Sequence, residues 1–287
     1  MNSLDILFSR PSSGQDIADT LDLEELALEA LDLECAWVST EQLVDGEAAY
    51  ALESIPAREG RVWLHRGWML KEEEYEELFD AVLARGESLL VTPEEYANAH
   101  YLPSYLEHIE GRTAETRCIE GHDAQEAWAA AQELRGPWII KDHVKSAKED
   151  WFGACFVPES STFEHFASVC EALVDHRGER FERGLVIRSM LDLAPLPVQS
   201  PERPLFDEHR LFVWNGEVVA HAPYHDFERA APPLDFDVSG IDSPFFSVDV
   251  ARLRSGEWAI IEINDGGVST LPPLMDPREL YAAMVRV

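Results

Sequence analysis

One stretch limits the fold more than any other, FFSVDVARLRSGEWAIIEINDGG, residues 245–267. Two apolar runs, Phe245 to Leu253 and Trp258 to Ile263, flank Arg254-Ser255-Gly256-Glu257, and their β-branched and aromatic content around a Ser-Gly break predicts a β-hairpin. With Ser255 and Gly256 as the two loop residues, Arg254 pairs with Glu257 and, five steps outward, Asp249 pairs with Glu262. Cross-strand partners share a face, and Asn264, two residues past Glu262, falls on the same face because side chains alternate. Two carboxylates and an amide oxygen then converge among apolar neighbours. Opposed carboxylates repel and buried unpaired charge is costly, so this face either stays in solvent or takes a cation. Hard oxygen donors of this kind suit Mg²⁺, which commonly also binds the phosphates of a nucleotide.

The rest of the composition says what such a site serves. At 287 residues the chain accommodates two domains or one domain with a lid, and 46% hydrophobic content is ordinary for a folded soluble protein. With 23 basic against 55 acidic residues and net charge −32, it lacks the clustered cations that track a phosphodiester backbone, which argues against bulk nucleic-acid binding. The acidity favours solubility and repulsion between copies. Only four residues are Lys (Lys71, Lys141, Lys145, Lys148), and three of them fall within eight positions. The four cysteines, Cys35, Cys118, Cys155 and Cys170, have no metal or disulfide-framework spacing and read as reduced core thiols. No signal-peptide pattern and no run of about 18 apolar residues occurs, so a cytoplasmic protein without a membrane partner is expected.

Taken in order, Ile6 to Phe8 predicts a buried strand, Ser9 to Gly14 a turn, and Asp16 to Leu31 a helix. Cys35 to Ser39, Arg61 to His65 and Ser88 to Val91 predict further strands, and Glu72 to Arg85 an amphipathic helix stopped by Gly86. Alternating strands and helices give a small open α/β domain ending near Gly111. His65 and Arg66 end a strand of this domain, where they either meet an anionic substrate or are satisfied by their surroundings. Ala124 to Leu134 predicts a helix and Trp138 to Lys141 a strand; Asp142 to Lys148 forms a cationic loop before a strand expected at Phe152 to Val157. Cations at a strand end and in the next loop are what nucleotide phosphates need, although a solvated basic loop is the alternative. GxxxxGK[ST] and GxGxxG are both absent, which removes the P-loop and Rossmann readings. Thr162 to Asp175 is helical, Gly184 to Met190 a strand, and Ala194 to Pro204 a Pro-rich connection. Asp207 to Ala220 predicts a second hairpin with an Asn215-Gly216 turn, placing Glu208, Arg210, Phe212 and Trp214 on one face. Arg210 there is either a structural ion-pair partner or a clamp on transferring phosphate.

Together, Ile140-Lys141, the Lys145 to Lys148 loop, the Glu208-His209-Arg210 strand, Asp249 and Glu262-Ile263-Asn264 resemble the ATP-grasp superfamily over residues 113–287, in motif and in chain order. The Arg66 to Leu70 stretch, Thr92 to Tyr96 and His100 to Pro103 are similar to the pre-grasp domain of a microbial ATP-grasp group. The resemblance implies a mixed α+β and α/β chain: a small open α/β pre-grasp domain at 1–112, a lid subdomain at 113–193 and a metal- and substrate-binding subdomain at 194–287. ATP would lie gripped between the last two, both of α+β build. It further implies ATP with Mg²⁺ (or Mn²⁺) as cofactors, Lys141 on the α and β phosphates, and Lys145, Ser146 and Lys148 closing over the γ-phosphate. Asp249, Glu262 and Asn264 would hold the metal. Arg188, Met190, Asp192 and Glu208 complete the implied nucleotide set, with Asp192 in the place of the usual hinge Glu for the ribose. Arg210 and Lys145 are the implied catalytic residues, and Arg66, Gly266, Gly267 and Ser269 the substrate contacts. The implied reaction is ADP-forming ligation of a small-molecule or peptide carboxylate to an amine through an acyl phosphate. An ATP-grasp kinase and a non-catalytic nucleotide-binding protein are the alternatives.

Overall fold

The computed structural model describes residues 4–11, 15–198, 200 and 203–285. The expected turn at 12–14 and positions 199, 201 and 202 of the Pro-rich connection lie outside the described residues.

Twelve strands form three four-stranded sheets among the described residues. The first contains β1 (Leu4–Arg10), β2 (Cys35–Ser39), β3 (Val62–Gly67) and β4 (Ser88–Leu89), in the order β2-β1-β3-β4 with every pairing parallel. Parallel neighbours require crossovers, and helices Gln15–Ala30 and Glu72–Leu83 supply two of them. The second of these begins where Glu74 accepts from the Lys71 backbone N–H at 2.8 Å, with Glu72 and Glu73 favourably placed at the helix N-terminus. Thr92-Pro93-Glu94-Glu95 is a reciprocal capping box for the helix Pro93–His100, with Glu95 on the Thr92 N–H and Thr92 Oγ1 on the Glu95 N–H. That helix sends Tyr96 into a stack on Tyr75, ring centroids 4.1 Å apart.

The second sheet has β5 (Thr116–Cys118), β6 (Trp138–Asp142), β7 (Phe156–Val157) and β8 (Leu185–Ser189) in the order β5-β8-β6-β7. Helices Ala124–Ala131 and Phe163–Arg177 cover one face, around Trp138, Ile140, Phe166 and Ile187. Alternation along β6 leaves Ile139 and Lys141 for the other face. The strand expected at Phe152 to Val157 is a correction: Trp151–Ala154 is a helical turn and only Phe156–Val157 pairs. Asp150 takes the Gly153 N–H and fixes that turn, and Trp151 stacks on Phe156.

The third sheet has β9 (Glu208–Trp214), β10 (Glu217–Pro223), β11 (Phe245–Arg252) and β12 (Trp258–Asp265), ordered β10-β9-β11-β12 and antiparallel throughout. Asn215 and Gly216 both have positive φ, as the two-residue turn between β9 and β10 requires. Phe212, Trp214 and Phe245 join the core of the first sheet, whereas Leu211, Val213 and Val248 pack under the helix-rich stretch 99–109. Each sheet thus falls within one of the three expected segments, and the first and third share one apolar core. No helix among the described residues is long and apolar enough to cross a membrane.

Candidate active site

The pairing of Asp249 with Glu262, and of Ser247 with Asn264, is observed. The loop that led to it is not. Arg252 pairs with Trp258, so Leu253 to Glu257 form a five-residue connection and Arg254 does not oppose Glu257. A bulge between the pairs Asp249/Glu262 and Val250/Ile260 inserts Ile261 and restores the offset. The bulge has a holder. Arg188 on β8 donates to the Ile261 carbonyl at 2.6 Å and to Thr113 and Thr116, tying the second sheet to the third.

Across β9, β11 and β12 the register sets Arg210 opposite Asp249 and Asp249 opposite Glu262, one row of three charges. Arg210 grips Asp249 with two hydrogen bonds of 2.8 Å, and Lys141, 121 residues from Glu262 in sequence, closes the far end as its ion-pair partner. Burial alone would raise the Glu262 pKa, but Lys141, Lys145 and Lys148 hold its carboxyl well below the usual range. Burial, together with Arg210, Lys141 and Lys148, lowers the Lys145 pKa against the pull of Glu262. Lys148 is held above the ordinary lysine range, against its burial, chiefly by Glu208 and Glu262. The cluster therefore gathers four cations (Lys141, Lys145, Lys148, Arg210) around three carboxylates (Glu208, Asp249, Glu262), an arrangement that a polyphosphate would relieve.

The loop carrying these lysines is anchored. Asp142 Oδ1 accepts from the Val144 and Lys145 N–H groups at 2.7 and 2.5 Å, and its Oδ2 accepts from Arg177 at 2.7 Å. Beside it opens a cleft with about 800 Å³ of empty space. Lys141, Ser146, Lys148 and Glu262 line one part of it, and Arg188, Met190 and Glu208 another. Trp151, Phe206 and His225 also line it, residues that the sequence had not singled out. Aromatic content near the cationic loop was the signal available for Trp151.

Asn264 is 3% exposed, and among the described residues neither its amide oxygen nor its nitrogen has a hydrogen-bond partner. A buried amide left without partners costs free energy, which a ligand at this position would recover. Among the described residues no three His, Cys, Asp or Glu side chains cluster as a metal site, so a cation here would rest on two carboxylates and this amide. That donor set is all oxygen and fits Mg²⁺.

Four residues expected at the site are committed elsewhere. Arg66 is 1% exposed; it forms a two-pronged pair with Glu24 and donates to the carbonyls of Gly266, Gly267 and Ser269, so its donors face protein and not a substrate. Asp192 is turned to the surface, paired with Arg254 at 3.1 Å, which removes it from the ribose position. Ser269 Oγ bonds Ser247 and the Asp265 carbonyl. The glycines are required by packing: a Cβ on Gly266 would lie 2.4 Å from the Phe245 ring, and one on Gly267 2.3 Å from the His65 carbonyl. Gly267→Ala is therefore expected to displace the 266–269 turn and lower Tm together with ATP turnover; an unchanged melting curve would show that the turn accommodates the methyl group. His65, the other strand-end residue, is neutral: burial and then Arg66 lower its pKa to about 3.

A family model for an ATP-grasp domain, the third family of its clade, matches residues 121–284. The chain belongs to the ATP-grasp superfamily. Solved structures extend the likeness to the whole ATP-grasp chain. A RimK-domain ATP-grasp protein from Sphaerobacter thermophilus DSM 20745 is similar at 16% identity and TM-score 0.61, with 98% of this chain and 100% of that one covered. D-alanine–D-alanine ligase from Bacillus anthracis is similar at 11% identity and TM-score 0.63, covering 100% and 97%. The ATP-grasp ligase PsnB, solved with a minimal precursor, Mg and ADP, is similar at 12% identity and TM-score 0.57, covering 98% and 97%. At these identities the likeness concerns the fold. No curated protein matches the ATP-grasp chain by sequence.

Proposed function

We propose that the protein is an ATP- and Mg²⁺-dependent carboxylate–amine ligase that forms ADP through an acyl phosphate and acts on a small acid or a peptide. The observation that carries this reading is the charged row Arg210, Asp249, Glu262 and Lys141 beside the cleft, with the unpartnered Asn264 amide at its end. Lys141 and Lys148 line the cleft where they would neutralise phosphate oxygens, and Asp142 holds the backbone that presents Lys145. Asp249, Glu262 and Asn264 would hold Mg²⁺, which when bound spreads the charge of the transferring phosphoryl group. The substrate carboxylate attacks the γ-phosphorus, the bond to the ADP oxygen breaks, and the resulting acyl phosphate is open to an amine, which displaces inorganic phosphate. Arg210, already aimed by Asp249, would face the negative charge that develops on both the phosphoryl and the acyl oxygen. The PsnB structure, solved with a minimal precursor, Mg and ADP, supports considering peptides among the acids.

Titration calorimetry with ATP and Mg²⁺ tests the nucleotide part. Wild type is expected to bind, and Lys141→Ala to bind at least ~10-fold more weakly, the usual weight of a charge-assisted hydrogen bond. ADP release over a panel of acids and amines, with Lys141→Ala as the blank, tests the reaction. Wild type that binds no ATP would overturn the proposal.

A further inference from the structure

A second pocket, with about 300 Å³ of empty space, lies near the charged row and shares no lining residue with the nucleotide cleft. Its walls include Trp68, Leu70, His100, Val144, Arg177 and Glu182. Val144 precedes Lys145, and the Glu182 backbone is tied to the same turn, its N–H donating to Asp142 and its carbonyl accepting from the His143 N–H. The electrostatic surroundings of His100 include Lys145, Glu262 and Lys141, so the pocket lies within reach of the phosphate cluster.

The polar groups that this pocket offers are acceptors. Arg177 is committed to Asp142 and the Arg180 carbonyl, and Arg180, also in the lining, to Glu74. Glu182 has no ion-pair partner among the described residues; its one side-chain hydrogen bond there is a long one from Tyr101, 3.4 Å. His100 is 3% exposed and its Nδ1 has no partner among the described residues. Burial, then Lys145, lowers the His100 pKa to about 3, so the ring is neutral and one of its nitrogens accepts. Burial likewise raises the Glu182 pKa to about 7, against Lys71 and with Asp142 and Glu73, as expected of a carboxylate that lacks a counter-ion. Two unfilled acceptors between the apolar walls of Trp68, Leu70 and Val144 call for a cationic donor on an apolar stem.

We propose that this pocket is the acceptor subsite, where Glu182 and His100 hold a primary amine carried on a slender apolar chain. The assignment rests on the ligase reading for the fate of the amine, but the pocket's preference is testable without ATP. The probe is n-butylamine, followed by saturation-transfer NMR on the full chain at pH 8, with butyrate as the charge-reversed control. Wild type is expected to give a butylamine signal and none from butyrate. Glu182→Gln should weaken butylamine binding at least ~10-fold, the usual weight of a hydrogen bond to a charged group. Trp68→Ala, which removes an apolar wall, should weaken it as well and decides the matter if Glu182→Gln does not fold. No butylamine signal in wild type, equal binding by a folded Glu182→Gln variant, or an equal butyrate signal would overturn the subsite. Failure of ATP binding in calorimetry would instead overturn the ligase reading, whatever butylamine does.

Discussion

Glu262→Gln is expected to abolish ADP formation, by at least ~10³-fold, while leaving metal-free ATP binding intact or tighter. The reason is that Glu262 has two duties with opposite electrostatic signs. It neutralises Lys141, Lys145 and Lys148 when the cleft holds no phosphate, and it faces Asp249 and Asn264 where a cation would sit. Removing its charge leaves the three lysines freer to bind phosphate, which raises affinity for ATP alone. The same change takes a carboxylate from the cation set, so added Mg²⁺ should no longer strengthen ATP binding. Calorimetry with and without Mg²⁺, alongside ADP release, reads both effects. A variant that still binds ATP more tightly with Mg²⁺ and turns over normally would show that Glu262 is only a partner for Lys141.

Arg66→Ala is expected to lower stability by about 3–5 kcal/mol, because it strands the buried Glu24 carboxylate. Glu24 is fully buried and its remaining partner is the Tyr281 hydroxyl, which donates to it but carries no positive charge. The same guanidinium holds three carbonyls of the 266–269 turn, directly after Asn264. In a chain of this size the loss corresponds to a fall in Tm of about ten degrees. Turnover should fall too, measured well below the new Tm, through the displaced turn. A Tm within two or three degrees of wild type would mean that Glu24 finds another partner or takes a proton.

The two variants also separate what each part of the chain contributes. Glu262 belongs to a hairpin whose facing residues follow from period-two alternation, and alternation is a local property of the backbone. For that reason Asp249, Glu262 and Asn264 could be placed on one face from sequence, even though the loop count was wrong and the Ile261 bulge compensated for it. Glu208 and Arg210 were equally accessible, because the Asn215-Gly216 turn fixed where β9 ends. The cationic stretch Lys141 to Lys148 stood out because lysine is otherwise nearly absent.

Partnerships over long sequence distance were not accessible in the same way. Arg66 and Asp192 have the charge and loop position of ligand-binding residues, and nothing local to them encodes that Glu24 or Arg254 will occupy them. The unfilled pairing capacity of Asn264 and Glu182 is likewise a property of what fails to surround them, which no motif records. The sequence by itself determined which side chains alternate onto each face of β6, β9, β11 and β12, and hence the chemistry available there. Only the tertiary structure decided which charges meet, since Lys141 reaches Glu262 across 121 residues and two sheets, by packing that sums weak apolar contacts along the whole chain.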